Sequence, residues 1–174
     1  IDLKKKKVDI LVNLSASPYT LKKLELRSKV SSFAAQYLQV PLIYVNQIGA
    51  NDNLIFDGNS FILDKNGSKI KQLKSFSEDL SSWDIEQTKP QKNKFEKSEM
   101  SSIFDALVLG VKDYAKKCGF KTALVGLSGG IDSALVSAIA TAALGSDNVY
   151  CVSMPSKWSS SHSKSDAKDL ARRL

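Results

Sequence analysis

The residues with the clearest chemical potential lie in one short segment that is rich in glycine and serine, Gly126-Leu127-Ser128-Gly129-Gly130-Ile131-Asp132-Ser133. Glycines let backbone N–H groups approach a ligand without obstruction by a Cβ, and the first turn of a helix offers unpaired N–H donors and the positive end of its dipole. The two serines add hydroxyl donors, and Asp132 supplies a carboxylate that could hold Mg²⁺ beside phosphate oxygens. The segment therefore predicts a phosphate-binding loop with a metal carboxylate.

Other glycine-rich loops fit this segment less well or imply different chemistry. A Walker A loop ends in Gly-Lys-Ser/Thr, but no lysine is present, and the G-x-G-x-x-G fingerprint fails because Ser128 stands at its second glycine. Gly126 to Gly130 does match the G-x-S-x-G nucleophile elbow, which would make Ser128 a nucleophile that needs an acidic residue and a histidine downstream. The only histidine is His162, on a polar serine-rich stretch. The nucleophile elbow and a purely structural turn remain as alternatives.

The elements around this loop predict the beginning of a parallel α/β sheet. Apolar residues from Met100 to Cys118 recur on one helical face, and Gly119 is placed as the C-terminal cap. We expect a strand at 122–127, an alanine-rich helix at 132–144 and a second strand at 149–154. Strand, loop, helix and strand in this order are typical of a parallel sheet.

The first half of the chain predicts a different arrangement. We expect strands at 8–14 and 42–46 with a helix at 20–39 between them, because the apolar spacing changes from a short run to a helical period. Stretches 54–64 and 68–73 flank Asn66-Gly67, a pair that favours a tight hairpin. Domain bounds of 1–80 and 98–174 follow, with a polar linker at 81–97.

Composition excludes several classes of protein. The 174 residues carry a formal charge of +7, but the basic residues are scattered lysines rather than an arginine-rich stripe, so we expect neither nucleic acid nor membrane as a partner. No apolar run reaches the roughly 18 residues of a membrane helix. Cys118 and Cys151 cannot form a disulfide framework and are expected to be packing residues, which favours a cytoplasmic location. A first residue other than Met and a helix-like stretch at the last residues lead us to expect a piece of a longer protein.

Two resemblances sharpen these predictions. Ser-Gly-Gly-x-Asp-Ser after a strand resembles the pyrophosphate-binding loop (PP-loop) of the N-type ATP pyrophosphatases. Segments 106–120, 154–160 and 165–167 are similar to the synthetase domain of the glutamine-dependent NAD synthetase family. Segments 13–19, 44–49 and 56–61 are similar to the C-terminal part of the nitrilase-like glutaminase domain in the same family.

The resemblance implies a fold, a reaction and a set of residues. The fold would be α/β: the C-terminal part of an α-β-β-α nitrilase-like domain, then the start of a parallel-sheet, adenine nucleotide α hydrolase-like (Rossmann-like) domain. The reaction would be ATP-dependent amidation of deamido-NAD to NAD through an adenylate, with ammonia from glutamine hydrolysis. Substrates would be deamido-NAD, glutamine and ATP, the cofactor would be Mg²⁺, and the full-length enzyme would be a homo-oligomer.

The resemblance implies that Ser17 and Lys23 hold glutamine and that Asp132 holds the metal ion. The glutaminase Glu, Lys and Cys would lie upstream of residue 1, so the 174 residues alone are expected to be inactive. The residues expected to bind ATP are Gly126, Leu127, Ser128, Gly129, Gly130, Ile131, Asp132 and Ser133. Two alternatives stay open: another amidotransferase of the ATP pyrophosphatase group, and a truncated, non-catalytic docking module.

Overall fold

The computed structural model describes residues 3–86 and 98–174, and the chain divides between Ser102 and Ile103 into two units. Each unit combines helices with strands, as the sequence predicted. Residues 87–97 of the expected linker lie outside the described residues, so the domain bounds stay a prediction. None of the described helices is long and apolar enough to cross a membrane.

The first unit is built on a four-stranded sheet in the order β1-β2-β5-β6. β1 and β2 are parallel, and the other neighbours are antiparallel. The elements are a 3-10 turn (Leu3–Lys6), β1 (Leu11–Ser15), α1 (Lys23–Leu38), β2 (Leu42–Asn46), β3 (Ile48–Asn51), β4 (Leu54–Asp57), β5 (Phe61–Leu63) and β6 (Lys69–Gln72). β1 begins at Leu11 rather than at Val8, where the sequence predicted it.

The core of this unit lies where α1 packs on the sheet. The rings of Tyr44 and Phe61 stack with their centroids 4.9 Å apart, and both side chains are almost fully buried. Such pairs add about 0.5–1.5 kcal/mol beyond the area that they bury. The remaining buried members of the cluster are Ala35, Leu42 and Leu63.

The single strand expected at 54–64 is wrong. Gly58 and Asn59 have φ angles of 63° and 53°, and this left-handed pair divides the run into β4 and β5. β4 pairs with β3, which the sequence did not predict, in a separate two-stranded sheet. The hairpin between β5 and β6 is confirmed, and Asp64 Oδ1 holds its turn by accepting from the N–H groups of Asn66 and Ser68 at 2.9 and 2.8 Å.

The second unit contains α2 (Glu99–Cys118) from Ile103 onward, then β7 (Ala123–Gly126), α3 (Ile131–Leu144), β8 (Val149–Val152) and α4 (Ser161–Arg173). β7 and β8 are parallel, and α3 connects them and packs on both. The predicted order of strand, loop, helix and strand is therefore confirmed. Cys118 is exposed at the end of α2, so the expectation that it packs in a core is wrong. Cys151 is half-buried, and its thiol lies 3.7 Å from Ser137 Oγ.

Candidate functional site

The glycine- and serine-rich loop lies at the carboxyl end of β7, where it leads directly into α3. Leu127 is buried at 3% exposure, and its N–H donates to the carbonyl of Val152 in β8 at 2.9 Å. The start of the loop is thus fixed to the edge of the parallel sheet. Carboxyl ends of parallel strands are where open α/β sheets bind ligands.

Two serine hydroxyls brace the loop from inside. Ser133 Oγ accepts from the Ser128 N–H at 3.2 Å and donates to the Gly130 carbonyl at 2.9 Å. Because the hydrogen of Ser133 is used there, the 3.0 Å contact between the two hydroxyls has Ser128 as its donor. Ser128 Oγ in turn accepts from the Gly130 N–H at 3.2 Å. Both hydroxyls, expected to face phosphate, also determine the shape of the loop.

Gly129 sits where only glycine fits. Its φ is 86°, and a Cβ built on it would lie 2.8 Å from the Cα of Ser163 in α4. That part of α4 is the first turn, whose N-cap residue Ser160 accepts from the Ser163 N–H at 3.1 Å. The loop is therefore packed against the beginning of α4 as well as leading into α3.

The beginning of α3 has no side-chain cap. Its N-cap residue is Gly130, and no side chain there bonds to the N–H groups of the first turn. A helix end of this kind suits an anionic ligand, because its N–H donors and the dipole both favour negative charge.

Asp132 lies exposed in the first turn of α3. Across residues 3–86 and 98–174, no group of three or more His, Cys, Asp or Glu side chains is arranged to hold a metal ion. A single exposed carboxylate fits Mg²⁺ in one way, with substrate phosphates and water completing the coordination. The residues present therefore fit a metal ion that is held jointly with the phosphates of a nucleotide.

The nucleophile elbow receives no support from the geometry. The hydrogen bonds of the Ser128 side chain are made with Ser133 and Gly130, and His162 is exposed on α4 with no bond to Ser128. A serine nucleophile needs its base within hydrogen-bond reach.

The second predicted site lies at the corner between β1 and α1. Ser17 is half-buried, its N–H donates to Asn46 Oδ1 at 2.9 Å, and its carbonyl accepts from Asn46 Nδ2 at 3.2 Å. Lys23 is the half-buried first residue of α1, and it lines a cavity of about 720 Å³. The structure places the two residues on one corner, but no hydrogen bond joins them and Ser17 does not line that cavity.

Tyr19 also lines this cavity. Partial burial raises the pKa of its hydroxyl, and the nearby carboxylates of Asp57 and Glu99 raise it further. The phenol therefore stays protonated at neutral pH and remains available as a donor.

A buried ion pair supports the corner, and the sequence did not predict it. Arg27 Nη1 donates to Asp57 Oδ1 at 2.7 Å, with 4% and 1% of the side chains exposed. Arg27 also donates from Nε to Ser17 Oγ at 3.1 Å, and from Nη2 to the carbonyls of Ser17 and Pro18 at 2.6 and 3.0 Å. The one available signal was residue type, because the other two arginines of the chain, Arg172 and Arg173, lie at its last residues and every other basic residue is lysine.

Comparisons with known proteins match both units. The family model described as carbon-nitrogen hydrolase matches residues 1–92, and the one described as NAD synthase matches residues 103–174. A glutamine-dependent NAD(+) synthetase of Synechocystis sp. is 49% identical over 179 residues, which cover 100% of this chain and 32% of the relative. One of Rhodobacter capsulatus is 41% identical and covers 95% of this chain and 31% of the relative.

A solved structure agrees over nearly the whole chain. It is a glutamine-dependent NAD+ synthetase from Acinetobacter baumannii in complex with ADP, with a TM-score of 0.91 and 39% identity. The match covers 99% of this chain and 34% of that one. The chain thus spans about a third of the length of the relatives that it matches.

Proposed function

We infer the function from one premise: the chain belongs to the glutamine-dependent NAD(+) synthetases, with a carbon-nitrogen hydrolase part at residues 1–92 and an NAD synthase part at residues 103–174. We propose that it works as part of an enzyme that amidates deamido-NAD to NAD at the expense of ATP. The observation that carries the proposal is the uncapped start of α3 behind a braced glycine loop, at the carboxyl end of a parallel strand.

The first step would be adenylation. A carboxylate oxygen of the nicotinate attacks the α-phosphorus of ATP, the bond to the β-phosphate bridge breaks, and pyrophosphate leaves. The N–H groups of the loop and of the first turn of α3 would bind the phosphate oxygens and stabilise the charge that develops on them. Support comes from the Acinetobacter baumannii relative, which was solved with ADP.

Asp132 would position a magnesium ion on those phosphates. Bound there, the ion would supply positive charge to the phosphate oxygens during displacement. The carboxylate of Asp132 is exposed in the first turn of α3, which leaves room for phosphate oxygens beside it.

The second step would be amidation. Ammonia attacks the adenylated carbonyl, AMP leaves, and the carboxamide of NAD results. The ammonia would come from glutamine hydrolysed with the glutaminase Glu, Lys and Cys that the family carries, while Ser17 and Lys23 hold the glutamine. The 174 residues alone would then have no glutaminase activity. We place the enzyme in the cytoplasm, in line with the free thiols of Cys118 and Cys151. A homo-oligomeric state of the full-length enzyme is what the family resemblance implies.

The experiment is a product balance on the full-length protein that this proposal requires. ATP, Mg²⁺ and deamido-NAD are supplied with either ammonium chloride or glutamine, and NAD, AMP and pyrophosphate are measured. We expect all three in equal amounts with either nitrogen donor. Release of ADP and phosphate instead, or no NAD with ammonium chloride, contradicts the proposal.

A further inference from the structure

The guanidinium group of Arg27 at the β1–α1 corner makes hydrogen bonds with two partners, the Ser17–Pro18 segment and Asp57. Three of its four bonds reach the side chain or carbonyls of that segment, and the fourth pairs with Asp57. A buried ion pair is a weak source of stability, because desolvation of the two charges offsets their attraction. Its geometry is more informative than its energy, since a guanidinium holds several acceptors at fixed angles.

These bonds limit the directions that the Ser17 hydroxyl hydrogen can take. A guanidinium N–H only donates, so Ser17 Oγ is the acceptor in its bond with Arg27 Nε. The backbone N–H and carbonyl of Ser17 are both taken by Asn46 and Arg27. Within the described ranges, no residue accepts the hydroxyl hydrogen of Ser17, so that hydrogen is available to a ligand or to solvent.

Asp57 is itself held in place. Its Oδ2 accepts from Asn59 Nδ2 at 2.7 Å, and its Oδ1 lies 3.5 Å from Asn46 Nδ2. The carboxylate balances the charge of Arg27, so the pair presents no net charge to a substrate. What it presents is one polarised hydroxyl, because a donor bond to an oxygen strengthens the bond that the same hydroxyl donates.

We propose that Arg27, held by Asp57, is a positioning residue for the substrate glutamine: it holds the Ser17–Pro18 segment and occupies one acceptor site of the Ser17 hydroxyl, which then donates its hydrogen to a glutamine oxygen. This inference rests on the proposed function, in which Ser17 holds glutamine. Arg27 touches no substrate and acts through Ser17. Its loss removes the donor to the Ser17 hydroxyl and two hydrogen bonds to the backbone carbonyls of Ser17 and Pro18.

The test is a double-mutant cycle on the glutamine-dependent reaction of the full-length protein. Arg27→Lys keeps the positive charge opposite Asp57 but loses the fixed set of N–H donors of the guanidinium group. Ser17→Ala removes the hydroxyl. Each single variant is expected to raise KM for glutamine about tenfold, the size of one hydrogen bond, with kcat changed by less than about twofold. Because both act on one hydroxyl, the double variant should stay within about threefold of Ser17→Ala alone.

A matched control and a fold control accompany the cycle. Arg172→Lys makes the same exchange in an exposed pair with Asp169 at 3.8 Å, and KM for glutamine should not change. Synthesis of NAD from ammonium chloride and the melting temperature report whether each variant is folded. If Arg27→Lys is poorly folded, Arg27→Met with Asp57→Asn removes both buried charges together and should raise KM in the same way.

The outcomes distinguish a failure of this inference from a failure of the proposed function. If Ser17→Ala raises KM but a folded Arg27 variant does not, or if the effects of the two residues multiply, Arg27 is only structural and the inference is wrong. If Ser17→Ala leaves KM for glutamine unchanged, the glutamine site of the proposed function is wrong, and this inference falls with it.

Discussion

Substitution of Gly129 by alanine tests whether the loop takes its shape from α4. At a φ of 86°, an alanine costs about 1–2 kcal/mol, and its Cβ would lie 2.8 Å from Ser163 Cα, well inside the usual carbon contact of about 3.5–4.0 Å. Overpacking of this kind typically costs about 1–3 kcal/mol more. We therefore expect Gly129→Ala to lower the free energy of unfolding by about 2–5 kcal/mol.

Gly119→Ala is the matched control, because the backbone penalty is the same and the overlap is absent. Gly119 has a φ of 75°, and a Cβ there would meet no atom within 4 Å. Gly119→Ala should lower the free energy of unfolding by only the backbone cost of about 1–2 kcal/mol. The difference between the two variants isolates the close approach of the loop to Ser163.

The assay combines urea unfolding with calorimetric titration of ADP at fixed Mg²⁺. Relief of the overlap must move the loop or α4, and the N–H groups that precede α3 move with the loop. ADP should then bind Gly129→Ala at least about tenfold more weakly, equivalent to about 1.4 kcal/mol, and bind Gly119→Ala normally. Equal destabilisation of the two variants with unchanged ADP affinity would refute this account of the loop.

Three further predictions follow from the two sites. Asp132→Asn removes the carboxylate charge at similar size, so adenylation with ammonium chloride should fall about 10²-fold or more; near-normal AMP release at saturating Mg²⁺ would show that Asp132 holds no metal. The 174-residue chain incubated with glutamine should release no ammonia above a blank, and catalytic release measured by a coupled assay would reveal an overlooked nucleophile. Arg27→Met leaves the buried Asp57 carboxylate without its partner and should lower the free energy of unfolding in urea by about 3–5 kcal/mol. A loss below about 1 kcal/mol would mean that the pair is open to water.

Local periodicity was enough to predict most elements of the second unit and the position of the glycine loop between β7 and α3. The strand, glycine loop and helix are contiguous, so the sequence order places the loop at the carboxyl end of β7 without any long-range information. The family resemblance is likewise confirmed by the two matched family models and the shared fold. What local patterns could not supply is a contact made by a later segment, such as the approach of Ser163 to Gly129.

The first unit shows the same limit more strongly. The break between β4 and β5 depends on two left-handed residues, one of which is Asn59, a residue type that gives only a weak signal for that conformation. Arg27 and Asp57 are 30 positions apart, and neither has a local pattern that marks it as buried. The exposure of Cys118 was missed because a helical face predicts which residues align, not which of them are covered at the end of the helix.

The two sites use polar side chains in the same way. Ser128 and Ser133 bind each other and the loop backbone, and Ser17 accepts from Arg27, so all three hydroxyls are partly used inside the protein. The donors left for a ligand are therefore the N–H groups at the start of α3 in one site and a single hydroxyl hydrogen in the other. Fixing these donors beforehand lowers the ordering cost of binding, because the protein has already lost that freedom on folding. Residue type predicts where ligands would bind, and the internal hydrogen bonds determine which atoms are left to bind them.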